Sequence, residues 1–127
     1  MKLSSSFILV CLLLTSVFAS AQSIHYLDCD GGNDAHDSLS SESAWKTAAQ
    51  ANRYTFQPGD TLLLKRGTVC SGLLWPKGSG SAGKEITLGA YGVGDLPQIV
   101  GTGNEAGLKL YDQQYWNTEH LNTLVSG

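Results

Sequence analysis

Beyond residue 60, the apolar positions of this chain fall in short runs separated by polar, glycine-rich stretches. Leu62 to Leu64, Ile86 to Leu88 and Leu108 to Leu110 begin at intervals of 24 and 22 residues. A second set, Leu73 to Trp75, Ile99 to Val100 and Leu121 to Val125, begins at intervals of 26 and 22. Two interleaved ladders sharing a period of about 22–26 predict a coil that repeats along one axis. A parallel β-helix has this property: each coil gives two or three short strands, and equivalent strands stack at about 4.8 Å. The alternative is an ordinary β-sandwich, whose strands recur about every 8–12 residues. Spacing alone leaves both open.

Upstream the pattern changes. Ile24 to Leu27 reads as a short strand, and Asp28 to Glu42 as a polar loop rich in aspartate. Ser43 to Asn52 is the one helical stretch, with Ser43 as its cap and Trp45, Ala48 and Ala51 on one face. Pro58-Gly59-Asp60 makes a turn into the apolar run at Thr61. Fifteen glycines and a single helix indicate a β-rich chain.

The first 21 residues follow different rules. Lys2 precedes an uncharged apolar run, and Ala19-Ser20-Ala21 offers the small side chains that a signal peptidase accepts. Phe7 to Phe18 is 12 residues, short of the ~20 that cross a bilayer as a helix. The expectation is a cleaved secretory signal over residues 1–21, a mature chain from Gln22, and export to the extracellular space. Cys11, preceded by Ile8-Leu9-Val10, leaves with it.

Removal of Lys2 leaves 7 basic against 11 acidic residues, a net charge of −4. There is no basic patch of the kind that binds nucleic acid, and no later run long enough to span a membrane. About 106 residues suffice for one small core. Cys29 and Cys70 survive processing. In an oxidising compartment an even pair most simply forms a disulfide, with two free thiols or a metal site as alternatives. Two cysteines without histidines at ligand spacing make a poor zinc site.

A longer pattern runs through Ala44-Trp45-Lys46-Thr47, Gln57-Pro58-Gly59-Asp60-Thr61 and Leu64-Lys65-Arg66-Gly67-Thr68. It continues in Leu74-Trp75-Pro76-Lys77-Gly78-Ser79-Gly80, Gly83, Ile86-Thr87-Leu88-Gly89-Ala90-Tyr91-Gly92 and Pro97, and ends in Gln114-Tyr115-Trp116 before Leu121. This series resembles the amino-terminal segment of secreted right-handed parallel β-helix proteins of the pectate-lyase-like superfamily. The resemblance implies an all-β fold: an amino-terminal cap over residues 22–60, with its short helix, and first coils over 61–127. It also implies that Cys29 pairs with Cys70. The chain departs from the family at Asp37-Ser38, where Asp-Gly is frequent, at Ser41 for a proline, and at Ala48 and Ala51 for larger aliphatic residues. Leu121 to Val125 reads as the start of a further coil with nothing after it to cover its end, so a longer protein is expected.

Several features carry candidate chemistry. Gly78-Ser79-Gly80-Ser81-Ala82-Gly83 fits the dinucleotide fingerprint, and Gly101-Thr102-Gly103-Asn104-Glu105-Ala106 nearly does. That chemistry needs a helix directly afterwards, whereas strands are expected at Ile86 and Leu108. Asp28, Asp30, Asp34 and Asp37 offer the oxygens that calcium prefers, but in neither EF-hand nor nonapeptide order, so they read as turn caps. Lys65 or Arg66 is a candidate base for a β-elimination, but only one of two adjacent strand residues faces a given site. Exposed charges at a coil edge are the plainer reading. Trp75, before Pro76, is the candidate for stacking on a sugar ring, while Trp45 and Trp116 fall at core positions. His25, His36 and His120 are scattered and receive no role.

The resemblance implies a carbohydrate-active protein whose partner is an extracellular polysaccharide. A lyase would use a cation, calcium in the full-length protein, and a lysine or arginine base. A hydrolase would use two carboxylates. No cofactor is evident in this segment, no catalytic residue is assigned, and the active site is expected on downstream coils. The contrasting expectation is a non-catalytic β-helix for glycan binding or surface attachment.

Overall fold

The computed structural model describes residues 22–103, 107–110 and 113–125; residues 1–21, expected to be a secretory signal, lie outside them. Among the described residues nine short strands follow one another: β1 (Ile24–Leu27), β2 (Thr55–Phe56), β3 (Thr61–Lys65), β4 (Val69–Ser71), β5 (Lys77–Gly78), β6 (Ile86–Tyr91), β7 (Gln98–Gly101), β8 (Trp116–Thr118) and β9 (Asn122–Val125). They form three sheets in the orders β1-β3-β6-β8, β2-β5 and β4-β7-β9. Every pairing between strands is parallel. Consecutive strands thus lie in different sheets, and successive circuits add strands to the four- and three-stranded sheets while the third stays at two. The architecture is a parallel β-helix.

Alternation along each strand explains the core. In β3, Leu62 and Leu64 are fully buried while Thr61, Leu63 and Lys65 are not. In β6, Ile86 and Leu88 are buried on the same side. Leu62 lies opposite Leu88, and Cys70 opposite Ile99, so like side chains stack rung upon rung. Each fully buried aliphatic side chain stabilises by about 1.5–3 kcal/mol. The corner between β3 and β4 turns at Gly67, whose φ of 81° suits glycine. Thr68 closes it by donating its hydroxyl to the Lys65 carbonyl at 2.7 Å.

The predicted ladders are corrected in register. Leu62 stacks on Leu88, not Ile86, and Ile86 lies opposite Trp116. Leu108 belongs to another row, bridged to Leu74, so Leu62, Ile86 and Leu108 are not one stack. Leu74 in turn does not share a row with Ile99, which lies over Cys70. The cause is unequal circuits. The step is 26 residues from Leu62 to Leu88, 30 from Ile86 to Trp116 and 34 from Leu74 to Leu108. A fixed period finds strands at Leu62, Ile86, Ile99 and Leu121 to Val125, but Leu73 to Trp75 and Leu108 to Leu110 meet only as an isolated bridge, and the partners are misplaced.

The helix is also shorter than expected. Ser41–Ser43 forms a 3-10 turn, and the α-helix α1 is only Ala48–Ala51, capped by the Thr47 hydroxyl, which accepts the Gln50 N–H at 3.1 Å. Between them Trp45 is extended and bridges Leu27. The Asp28 N–H donates to the Trp45 carbonyl and the Trp45 N–H to the Tyr26 carbonyl. This pairing covers the outer edge of β1, which would otherwise be a bare template for association. Trp45, Ala48 and Ala51 are all buried, as their spacing suggested, but along an extended path that only ends in a helical turn.

The two cysteines form the disulfide Cys29–Cys70, Cα atoms 5.3 Å apart. It ties the residue after Asp28 to the centre of β4, and so joins the segment before Thr61 to the first full coil. No helix among the described residues is long and apolar enough to cross a membrane.

Candidate functional site

The outward face of the four-stranded sheet carries the densest polar chemistry. The face opposite the stacked Leu62, Leu64 and Leu88 is set by register: Tyr26 on β1 and Asp28 just after it, Leu63 and Lys65 on β3, Gly89 and Tyr91 on β6. Lys65 Nζ lies 3.4 Å from Asp28 Oδ2, and Tyr91 stands opposite Lys65 on the next rung. Tyr26 and Tyr91 meet edge to face, ring centres 5.0 Å apart. Glu119, just past β8, reaches the space above Gly89, which Leu63 also borders. Acid, amine, phenol and a second acid therefore share one face across four rungs.

The electrostatics of this row assign its groups. Burial pushes the Tyr91 phenol up to about 12, helped by the Asp28 charge, so Tyr91 stays protonated. Its hydroxyl is buried and has no hydrogen-bond partner among the described residues. At Asp28 burial opposes the charge but is outweighed by the N–H groups of Gly31 and Asp30 and by Lys65, which together hold its carboxyl below the usual range. Asp28 is a fixed anion, not a proton donor at neutral pH. Lys65 is ion-paired on the outward face, whereas Arg66 lies at the corner, its guanidinium donating to the Gly94 carbonyl at 3.3 Å. Of the two candidate bases, only Lys65 belongs to this face.

Asp34 and Asp37 anchor backbone, Asp34 across the loop and Asp37 in a local turn. Asp34 accepts the N–H groups of Lys46 and Thr47 and the Thr47 hydroxyl, at 2.7–2.9 Å. Asp37 accepts the Leu39 N–H and the Ser43 hydroxyl. These donors hold both carboxyls below their ordinary range, at Asp34 against burial. No three His, Cys, Asp or Glu side chains among the described residues gather where they would hold a metal. The glycine-rich stretch at Gly78 runs into β6, not into a helix, so it lacks the helix end that pyrophosphate needs.

Trp75 is half-buried at the third corner of the coil. Its indole N–H donates to Gln113 Oε1 at 3.1 Å. Lys77 Nζ lies 3.8 Å, and Lys109 Nζ 4.5 Å, from the ring centre. Leu74 bridges Leu108, so Lys109 arrives from the next rung beside Trp75. The result is an aromatic platform topped by cationic groups. Trp45 and Trp116 instead pack inward: Trp45 is buried, and Trp116 meets Phe56 edge to face while donating to the Gly78 carbonyl.

Two features escaped the sequence reading. His25 is buried among Trp45, Tyr54 and Phe56, ring centres 4.3–5.5 Å away, with Nδ1 hydrogen-bonded to Ser38 Oγ at 2.7 Å. Near it opens a cleft of about 260 Å³ bordered by Gln22, Tyr54, Gln57, Asp60, Ser81 and Lys84. Asp60, almost fully buried, accepts the N–H of Ser23 on one oxygen and of Gln57 on the other. His25 carried one signal, an alternation that places it on the inward side with Leu27. The cleft carried none, because its walls come from three separate stretches of chain.

No family model and no curated protein matches the chain. Solved structures do match, among them the selenomethionine derivative and the native protein of a GH136 lacto-N-biosidase from Eubacterium ramulus. The chain is 27% identical to the first, with a TM-score of 0.74, and 26% identical to the second, with a TM-score of 0.67. In each case the match covers 83% of this chain and 20% of that enzyme's chain. The residues described above therefore correspond to about a fifth of a much larger glycosidase.

Proposed function

We propose that this chain is part of a secreted, carbohydrate-active protein of the glycoside-hydrolase type, for which it supplies the capped first coils of a parallel β-helix. The observation that carries this reading is the likeness to the lacto-N-biosidase at 27% identity over 83% of the chain. The pectate-lyase-like pattern from Ala44 to Trp116 fits the same architecture, but the structural neighbours are hydrolases, which favours glycosidic hydrolysis over β-elimination. A hydrolase needs two carboxylates flanking the scissile bond. Asp28, Asp34, Asp37 and Asp60 all accept backbone N–H groups as turn or corner anchors. We therefore place the catalytic pair on other coils, and assign these aspartates to the scaffold. Trp75 with Lys77 is the proposed glycan-contacting platform. Export follows from the leader over residues 1–21, and the disulfide suits an oxidising compartment.

The test is to incubate the full protein with oligosaccharides ending in lacto-N-biose, and separately with pectin and alginate. Release of the disaccharide supports the proposal; unsaturated uronate from pectin or alginate would overturn hydrolysis in favour of elimination. Glycan retention without turnover would move the protein to the binding class. A glycan array with wild type and Trp75→Ala checks the platform: signal lost in the variant is expected, and equal signal removes Trp75 from the site. Expression with its own leader should place the chain in the medium, and retention of residues 1–21 would defeat the export reading.

A further inference from the structure

We infer that the mature chain carries a modified amino terminus: Gln22 closes on itself to a pyroglutamyl lactam seated over Gly59. This rests on the proposed cleavage after Ala21. The fold takes hold one residue later. The Ser23 N–H donates to buried Asp60 at 2.9 Å, and the Ser23 carbonyl accepts the Thr61 N–H at 2.9 Å. Gln22 is thus the last residue outside the hydrogen-bonded framework, exposed and bordering the cleft.

Its side chain has a defined place there. A Cβ added at Gly59 would lie 2.7–2.9 Å from Gln22 Nε2, Cδ and Cγ, so the Gln22 side chain fills the space that a side chain at position 59, held at a φ of 87°, would take. Both Asp60 oxygens already accept peptide N–H groups, so the carboxylate does not depend on a terminal ammonium for its hydrogen bonds. Once the leader is removed, the unprotonated α-amine of Gln22 attacks its own Cδ. The N–Cδ bond forms, the Cδ–Nε2 bond breaks, and Nε2 leaves as ammonia, taking up the proton lost by the amine. No oxidant or second substrate is consumed. The terminal amine, which ordinarily titrates near pH 8, is lost, and the strand that opens the β-helix begins with a neutral ring.

The full chain should be secreted with its own leader, and its amino-terminal peptide read by mass spectrometry and by stepwise degradation from the amino terminus. The expected peptide begins at residue 22, is lighter by one ammonia than the unmodified sequence, and resists degradation until treated with pyroglutamyl aminopeptidase. An open Gln22 amide after prolonged incubation at neutral pH overturns the lactam and leaves the cleavage reading intact. A different first residue overturns the cleavage reading, and this inference with it. Seating is tested by hydrogen exchange at the Thr61 amide, whose acceptor is Ser23. Enzymatic removal of the ring should speed that exchange several-fold, and an unchanged rate overturns the seating over Gly59.

Discussion

Two regions of the molecule satisfy their backbone in different ways. In residues 22–60, side chains take the role of neighbouring strands: Asp28, Asp34, Asp37 and Asp60 accept main-chain N–H groups, and the disulfide and a box of four rings fix the rest. From Thr61 onward the rungs serve one another. β3 lies between β1 and β6, β6 between β3 and β8, and β7 between β4 and β9, with aliphatic side chains stacked inside. A rung flanked on both sides has its hydrogen bonds met by repetition, whereas the first rung must close its free side with polar side chains and a crossing segment. Stability before Thr61 is therefore a matter of particular side chains. Stability after it is a matter of pattern.

The largest expected effect breaks the link between the two regions. Replacing Cys29 and Cys70 by serine opens a loop with a sequence separation of 41, and the chain-entropy relation gives a loss of about 4 kcal/mol. Hydrogen exchange should show amides of residues 24–56 losing protection before those of residues 86–101. Uniform loss across both would mean that they unfold as one unit. Next comes Leu64→Ala, inside the stack, with an expected loss of about 2–5 kcal/mol. Its mark should be the reverse, with weakened protection centred on β3 and β6 and read in the denaturation midpoint. Third is Asp34→Ala, which releases the N–H groups of Lys46 and Thr47 together. About 1–3 kcal/mol should be lost, while β6 and β7 keep their exchange rates. A variant as stable as wild type would show that water replaces this carboxylate.

The same contrast explains how much the sequence disclosed. Ile24–Leu27 was legible as β1, and Thr61, Ile86 and Ile99 each marked a real strand, because buried rungs need aliphatic residues at inward positions. The disulfide was legible from the cysteine count together with the resemblance. β2 and β5, two residues each, are too short to show any alternation. Helical spacing at Trp45, Ala48 and Ala51 misled because an extended residue followed by one helical turn buries the same three side chains. Of the outward row, Lys65 was weighed as a base and Asp28 as a turn cap, each apart from the other; Tyr91 and Glu119 join them only through parallel register, which unequal circuits hide. Ser38, noted as a departure from glycine, is the instructive case. It is fully buried at a φ of 64°, where glycine is at ease, and its hydroxyl is the partner of His25. The residue that costs backbone strain supplies the hydrogen bond that the ring box requires.

That box yields the smallest predicted effect, and one confined to residues 22–60. Burial lowers the pKa of His25, while Asp60 and then Asp37 act in the opposite direction without prevailing. The physical cause is visible in the ring's surroundings: Nδ1 has Ser38, whereas Nε2 is buried without a partner among Trp45, Tyr54 and Phe56. A proton on both nitrogens would leave an N–H and a charge facing apolar rings. The folded chain therefore binds this proton less readily than the unfolded chain, whose histidine titrates at about 6.5. Its contribution is fully present above pH 6.5, falls as the pH drops from there to the lowered folded value, and is constant below it. The aspartates behave separately: Asp28, Asp34 and Asp37 have lowered values, so their contribution is lost only as the pH falls below about 4. Denaturation measured between pH 5 and 8 should show a modest loss of stability toward pH 5 that disappears in His25→Phe, which keeps an aromatic ring in the box. A slope that survives this substitution would assign the titration to another group. A slope seen equally in the exchange of β7 amides would mean that the first rung does not melt by itself.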